Sequence, residues 1–152
     1  MNSSSSISTQ ELTLANCVSY RLRRAARLAA KIFDATLKPT DLRNTQFTLL
    51  SALVNRGAMN IGDLSELLAT DGTTLTRNLE VLARRGLIED GVAADARIRI
   101  VQASDRGRAK YEAALPLWRT AQQQVLAGLH QDQWIEMVEV LRQIEAACNQ
   151  AE

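Results

Sequence analysis

The stretch TTLTRNLEVLARRGLI, residues 73–88, carries side chains that can hydrogen-bond to nucleic-acid bases. Leucines recur in it at i, i+4 and i+7, which predicts an amphipathic helix with one apolar stripe. Hydroxyl, amide and guanidinium groups occupy the other face, and such groups match base edges in a DNA major groove. The residues of this polar face are Thr73, Thr74, Thr76, Arg77 and Asn78. A solvated helix face could carry the same residues, so the interpretation depends on the neighbouring elements.

The segments around this helix predict a helix-turn-helix followed by a hairpin. Asn60 can cap a short helix over IGDLSELLAT, and a tight turn at Asp71-Gly72 leads into the polar helix. Strand character follows at 87–90 and 97–102, with Gly, Asp and small residues between the two segments. Two short helices joined by a tight turn, then a hairpin, describe a winged helix-turn-helix.

Long helical patterns flank this module. The first, over 11–37, stops before Pro39, and Thr40 or Asp41 is expected to cap a further helix at about 42–55. Ser104 is expected to cap a long helix that runs towards Gly128, and a last helix is predicted at about 131–148. One module of this size cannot cover the apolar stripes of all these helices, so we expect pairing with a second copy of the chain.

The sequence therefore predicts a mainly α fold with a small β-hairpin wing, in which N- and C-terminal dimerisation helices flank the winged helix-turn-helix. The expected divisions are a disordered leader at 1–10, a helical dimerisation region at 11–38 and 104–150, and a DNA-binding lobe at 40–103.

These motifs resemble the MarR family of bacterial transcription regulators over roughly residues 11–145. The resemblance is strongest in TTLTRNLEVLARRGLI, in D-A-R at 95–97 and in V-Q-A-S-D-R-G at 101–107. Members usually show a recognition helix with threonine and arginine, a GLI or GLV sequence, a D-x-R wing and a hydrophobic-x-L-T-x-x-G helix start. The chain departs from this pattern where Ala103 and Ser104 replace Leu-Thr, and where Glu89 and Asp90 make the first wing strand acidic.

The resemblance implies a homodimeric, sequence-specific transcription regulator that binds a palindromic operator in double-stranded DNA, with repression the commoner outcome in the family. It implies that Arg97 lies at the wing tip and enters the minor groove, where negative potential is concentrated, with Asp95 orienting it. Arg99 is expected to contact phosphate. The alternative for Asp95 and Arg97 is a surface ion pair with no role in DNA binding.

Many members of the family are released from DNA by small aromatic acids or phenols, bound between the dimerisation helices and the DNA-binding lobe. A carboxylate ligand needs a cation in an apolar setting. The candidates are the cations Arg21 and Arg24 and the aromatic walls Tyr20, Phe47 and Tyr111. The alternative is that the arginines are solvated and the aromatic residues belong to the core.

Thiol oxidation is a second candidate switch, because some members sense peroxides through a cysteine on the first helix. Cys17 is on the predicted first helix, close to several basic residues. A cysteine on an alanine-rich helix face is also a common small core residue.

Composition and charge bound the remaining possibilities. The 152 residues are 46% hydrophobic and only 4% aromatic, as expected of one helical domain with a packed core. The net charge is +1, but residues 21–38 hold six basic side chains against one acidic one, so the basic part of the chain can face a polyanion.

Several other function classes are not favoured. The sequence has no glycine-rich phosphate loop, no nucleophile elbow and one histidine far from either cysteine, so we expect no enzyme, no metal and no cofactor. MNSSSSISTQE lacks a signal-peptide pattern, and no apolar run has membrane-spanning length, which favours a cytoplasmic protein without membrane contact. A winged-helix module that binds proteins instead of DNA is the remaining alternative.

Overall fold

The computed structural model describes residues 13–92 and 97–150. Within these ranges the chain forms six α-helices, one 3-10 turn and three short strands. In chain order they are α1 (Val18–Leu37), the 3-10 turn (Lys38–Thr40), α2 (Asn44–Arg56), β1 (Met59–Asn60), α3 (Ile61–Leu67), α4 (Gly72–Arg84), β2 (Ile88–Asp90), β3 (Ile100–Ala103), α5 (Asp105–Leu126) and α6 (Gln131–Asn149).

The architecture is a mainly helical winged-helix fold, which confirms the predicted fold class. The sheet contains a strand that the sequence analysis missed. The three antiparallel strands lie in the order β1-β3-β2, so β1 pairs with β3 on the side away from the wing. A two-residue strand is too short for an alternating pattern to reveal. The second wing strand also begins later than predicted, at Ile100.

One leucine-rich core holds the lobe formed by α2, α3, α4 and the sheet. Its largest fully buried side chains come from every helix of the lobe and from β3. They include Leu49, Leu50, Leu53, Leu64, Leu75, Leu79, Leu82 and Val101, together with Leu37 from the end of α1. The apolar stripe predicted for α4 is therefore the part of that helix that fixes it in the lobe.

Side-chain caps begin α3 and α5 as the sequence predicted. Asn60 Oδ1 accepts a hydrogen bond from the Asp63 backbone N–H at 2.8 Å. Ser104 Oγ accepts from Gly107 N–H at 3.0 Å, and the Ser104 hydroxyl donates to Gly86 O at 2.7 Å. Each cap satisfies an N–H group that has no partner within its own helix.

The prediction that Thr40 or Asp41 caps α2 is wrong. Thr40 ends the 3-10 turn and its hydroxyl donates to Leu37 O at 2.6 Å, while Asp41 has a left-handed backbone with φ 57°. The helix begins at Asn44, whose N–H donates to Asp34 Oδ1 on α1 at 2.7 Å. Because the capping carboxylate comes from ten residues upstream, a local capping rule could not identify it.

The terminal helices α1 and α6 leave apolar surface uncovered in the single chain. Helix α1 packs on α5, but α6 contains no buried residue. The exposed large apolar side chains on or next to α1 and α6 are Leu14, Val18, Leu22, Leu28, Leu129, Ile135, Met137 and Val140. Among the described residues, no helix has both the length and the hydropathy needed to cross a bilayer.

Candidate nucleic-acid interface

Helix α4 presents a polar face directly opposite its buried leucine stripe. Leu75, Leu79 and Leu82 are buried, whereas Thr73, Thr74, Thr76 and Arg77 are exposed. Asn78 is half-buried, and its amide Nδ2 donates to Thr74 O at 3.1 Å. Four of the five residues proposed from the sequence are therefore accessible to a large partner in the single chain, and the fifth is partly so.

The first turn of α4 is fixed by Asp71. Its Oδ1 accepts from the Thr74 N–H at 2.9 Å, and the side-chain hydrogen bond with Thr74 holds the pKa of the Asp71 carboxyl below its ordinary value of 3.8. Backbone hydrogen bonds from the same turn lower this pKa further. The carboxylate is favourable here, because the N-terminal end of a helix carries partial positive charge. The cap holds the backbone of the residues that carry the polar face.

A groove of about 210 Å³ adjoins this polar face, between the start of α2 and α4. It is lined mainly by small polar side chains: Asn44, Thr45, Thr48, Thr70, Thr74 and Asn78, with Leu49, Leu68 and Leu75 at its base. Thr48 and Thr70 are not among the site residues predicted from the sequence. The spacing of Thr45 and Thr48 on one helix is visible in the sequence, but only the packing of α2 against α4 brings them to the site.

The two strands of the wing are linked by polar side chains. Arg99 Nε lies 3.1 Å from Asp90 Oδ1, and Gln102 Nε2 donates to Glu89 Oε1 at 2.8 Å. The acidic residues of β2 are thus each paired with a residue on the opposite side of the hairpin. Arg97 is exposed near the wing tip, and the predicted orienting residue Asp95 lies outside the described residues.

The five residues predicted to form an effector pocket occupy two separate places in the chain. Tyr20 and Arg24 line a groove of about 410 Å³ along α1. Phe47 is buried and stacks on Tyr111, with ring centroids 5.3 Å apart, inside the fold. Arg21 Nε donates to Ala15 O, before the start of α1. Within one chain Arg24 therefore shares a groove with Tyr20 but not with Phe47 or Tyr111.

The two cysteines lie near the ends of the described chain. The prediction that Cys17 lies on the first helix is wrong, because Cys17 has an extended backbone and immediately precedes α1, where it is half-buried. Cys148 is exposed in the last turns of α6. Both are free thiols within the chain.

Comparisons with known proteins agree on one family. A MarR family model matches residues 40–98. The M. tuberculosis transcriptional regulator MosR, solved in complex with DNA, is 36% identical, with 88% of this chain and 98% of that chain covered and a TM-score of 0.75.

Two further relatives extend this result. Bordetella bronchiseptica BpsR, described with a mechanism for regulation of its DNA binding by 6-hydroxynicotinic acid, is 27% identical, with 89% of this chain and 98% of that chain covered and a TM-score of 0.79. The uncharacterized HTH-type transcriptional regulator YwoH of Bacillus subtilis (strain 168) is 27% identical over 93 residues, 61% of this chain and 68% of YwoH. MosR and YwoH are described as transcriptional regulators, and BpsR is described by its regulated DNA binding. The chain therefore belongs to the MarR family of DNA-binding transcription regulators.

Proposed function

We propose that the chain is a homodimeric repressor that binds a palindromic operator through the polar face of α4 and the wing. The observation that carries this proposal is the polar face itself, which is exposed along the side of α4 opposite three buried leucines. A helix anchored in this way can enter a major groove without disturbing its own core.

Individual side chains have distinct parts in this proposal. The exposed Arg77 guanidinium suits bidentate hydrogen bonding to guanine. Thr74 is expected to offer its hydroxyl or its methyl group to a base. Thr73, Thr76 and Asn78 complete the major-groove surface. In the wing, Arg97 enters the minor groove, an arrangement in which the family resemblance implies that Asp95 orients it, and Arg99 contacts phosphate while it pairs with Asp90.

The uncovered faces of α1 and α6 support the homodimer. Ile135 and Val140 are 57% and 47% exposed in the single chain, although side chains of this kind are usually buried. A second copy presents the same faces, so a two-fold dimer covers both at once. Such a dimer presents two α4 helices related by two-fold symmetry, which a palindromic operator matches.

We further propose that a small aromatic acid or phenol releases the dimer from DNA. BpsR, whose DNA binding is regulated by 6-hydroxynicotinic acid, supports a ligand of this class. The groove along α1 combines Tyr20 and Leu28 with the basic residues Arg23, Arg24, Arg27 and Lys31, a lining that suits an aromatic carboxylate.

The experiment that tests DNA recognition starts from a genomic fragment pool. The wild-type protein selects fragments, and binding to the selected duplex and to an unrelated duplex is then measured at two salt concentrations. Arg77→Ala and Arg97→Ala are expected to weaken operator binding by about tenfold or more. Arg142→Ala, which removes the same charge from α6, is the matched control and should bind like wild type.

The outcome separates the two candidate functions. A selective, salt-sensitive complex that both variants weaken supports the regulator. If the pool yields no selected fragment and binding does not depend on salt, the protein-binding module is the better description. The ligand class is tested in the same assay, where 6-hydroxynicotinic acid or salicylate should release the operator from wild type but less readily from Arg24→Ala.

A further inference from the structure

The end of α4 that lies away from the proposed base-contacting residues is held by Arg85. This residue directly follows the last residue of the helix. Its Nη1 donates to the backbone oxygen of Asp41 at 2.8 Å, and its Nη2 lies 3.2 Å from Asp41 Oδ2. One guanidinium therefore bonds both the main chain and the side chain of the same residue, a planar geometry that lysine cannot reproduce.

The point that Arg85 holds is itself fixed to the rest of the fold. Asp41 has a left-handed backbone, and its N–H donates to Lys38 O at 2.9 Å. On one side of Asp41, the Thr40 hydroxyl donates to Leu37 O; on the other, Asp34 accepts from the N–H that begins α2. The segment between α1 and α2 is thus attached to both helices. The contact between Arg85 and Asp41 therefore links the end of α4 to the end of α1.

A cleft separates the two elements that Arg85 connects. It has a volume of about 700 Å³ and lies between the end of α1, the start of α2 and the last turns of α4. Val81 and Arg85 line it from α4 and the residue after it, and Asp34 and Lys38 line it from the other side. Open space on this side leaves the orientation of α4 less constrained by packing than on its leucine face. The Arg85 side chain is only 26% exposed, whereas that of Asp41 is 91% exposed.

We propose that Arg85, through Asp41, is a positioning residue for DNA recognition. It sets the direction of α4 relative to α1, and therefore the separation of the two α4 helices in the dimer. From Thr74 to Arg85 the helix rises by about 16 Å, so Arg85 acts on the orientation of the helix and not on a base. This inference rests on the proposed function, in which α4 lies in the major groove.

Two variants remove the two halves of this contact. Arg85→Met keeps the apolar stem and removes both bonds, and Asp41→Asn removes the carboxylate while keeping the backbone oxygen and a residue that tolerates the left-handed backbone. Arg84→Met is the matched control, because Arg84 is the preceding, exposed arginine. The measured quantity is the ratio of operator affinity to unrelated-duplex affinity, together with the salt dependence of each.

Positioning predicts a loss of selectivity without a loss of phosphate contacts. The ratio should fall by about tenfold for Arg85→Met and a few-fold for Asp41→Asn, with unchanged binding to the unrelated duplex. Arg84→Met should leave the ratio at the wild-type value, and Arg85→Lys should recover part of it. Thermal unfolding and circular dichroism show whether each variant is folded. If Arg85→Met does not fold, the Asp41→Asn variant alone provides the test.

If Arg85 instead contacts a DNA phosphate directly, the opposite change in DNA affinity is expected for Asp41→Asn. Removing an acidic side chain near the DNA would then tighten binding, and Arg85→Met would weaken both duplexes and reduce the salt dependence. That pattern overturns the inference, as does a wild-type ratio in both Arg85→Met and Asp41→Asn. If the wild-type protein itself selects no DNA, the proposed function is wrong and the inference that rests on it is wrong as well. The wild-type measurement alone distinguishes this case from a failure of the inference by itself.

Discussion

The lobe around α4 and the terminal helices use similar apolar residues in different ways. In the lobe, the leucines of α2, α3 and α4 are fully buried within a single chain. In α6 no residue is buried, although Trp134, Val138, Leu141 and Ile144 recur at helical spacing. The lobe obtains its burial from its own segments, and α6 lacks a sufficient partner in its own chain.

In the proposed homodimer, this difference separates the parts of the molecule that depend on a second copy from those that do not. Burial of apolar surface supplies most of the favourable free energy of folding, at roughly 25 cal/mol per Å². A helix as exposed as α6 gains little of it in one chain, and helices in proteins receive most of their stability from packing of an amphipathic face. Substitutions in the two regions should therefore affect different equilibria: folding for the lobe and association for the terminal helices.

The largest effect is expected from charge at two exposed apolar positions of α6, Ile135 and Val140. The double substitution Ile135→Glu and Val140→Glu places four charges in a two-fold dimer interface, and burying such charges is costly. The dimer dissociation constant should rise by about a thousandfold or more, since each lost apolar contact alone is worth about 1.5–3 kcal/mol. Sedimentation equilibrium measures the monomer–dimer balance directly.

The matched control for this experiment is Glu136→Gln with Glu139→Gln on the same helix, where neither position is apolar. The control should remain as dimeric as wild type. A double-glutamate variant that stays dimeric would show that Ile135 and Val140 both lie outside the interface.

A smaller effect, confined to the lobe, is expected from Leu64→Ala on α3. Leu64 has no exposed surface, and removing such a side chain typically lowers the free energy of unfolding by about 2–5 kcal/mol. Val92→Ala in the same lobe should cost under about 0.5 kcal/mol, because Val92 is 97% exposed. Urea unfolding provides both values, and equal costs at the two positions would contradict the described core.

The helices that local rules define were predictable from the sequence. Asn60 and Ser104 cap as predicted, and the leucine spacing of α4 correctly identified its buried side. Features that join distant segments were missed. Asp34 caps α2 from another helix, and β1 pairs with β3 about forty residues later. Nothing in a local pattern reports such contacts, because they exist only after the chain has packed.

In the candidate site, too, the features set by local periodicity were predictable and the contacts between distant segments were not. The residues of the α4 polar face follow from helical periodicity, and the structure leaves most of them exposed. The effector residues were grouped by chemical type, and the structure places Phe47 and Tyr111 in a stacked pair away from the groove that contains Tyr20 and Arg24. Chemical type alone does not determine which helix faces meet.

A modest effect on the lobe is expected at the cap of α4, where a hydrogen bond rather than burial provides the stability. Asp71→Ala should lower the Tm by a few degrees at pH 7, because it removes the acceptor for the Thr74 N–H. Asp71→Asn retains an acceptor and should lose less. Thermal unfolding followed by circular dichroism at 222 nm gives both values.

The pH dependence has a definite sign. The folded pKa of Asp71 is lowered from 3.8, so its contribution to stability is complete above that pH and is lost as the pH falls through the lower folded value. The difference in Tm between wild type and Asp71→Asn should therefore shrink below pH 3.8. A difference that stays constant across this range would mean that the charge of Asp71 contributes nothing.

The smallest effect on stability is expected at the wing, the exposed edge of the lobe. Asp90 and Arg99 form a pair whose side chains are both more than half exposed, so Asp90→Ala should change the free energy of unfolding by less than about 1 kcal/mol. The same substitution releases the Arg99 guanidinium from its carboxylate. If Arg99 contacts phosphate, binding to any duplex should tighten by a few-fold and become slightly more salt-dependent. Glu145→Ala on α6 makes the same change in net charge far along the chain. If DNA binding tightens equally in both variants, the effect is due to net charge and not to the wing. If it tightens only in Asp90→Ala, the acidic wing strand weakens DNA binding through a local effect.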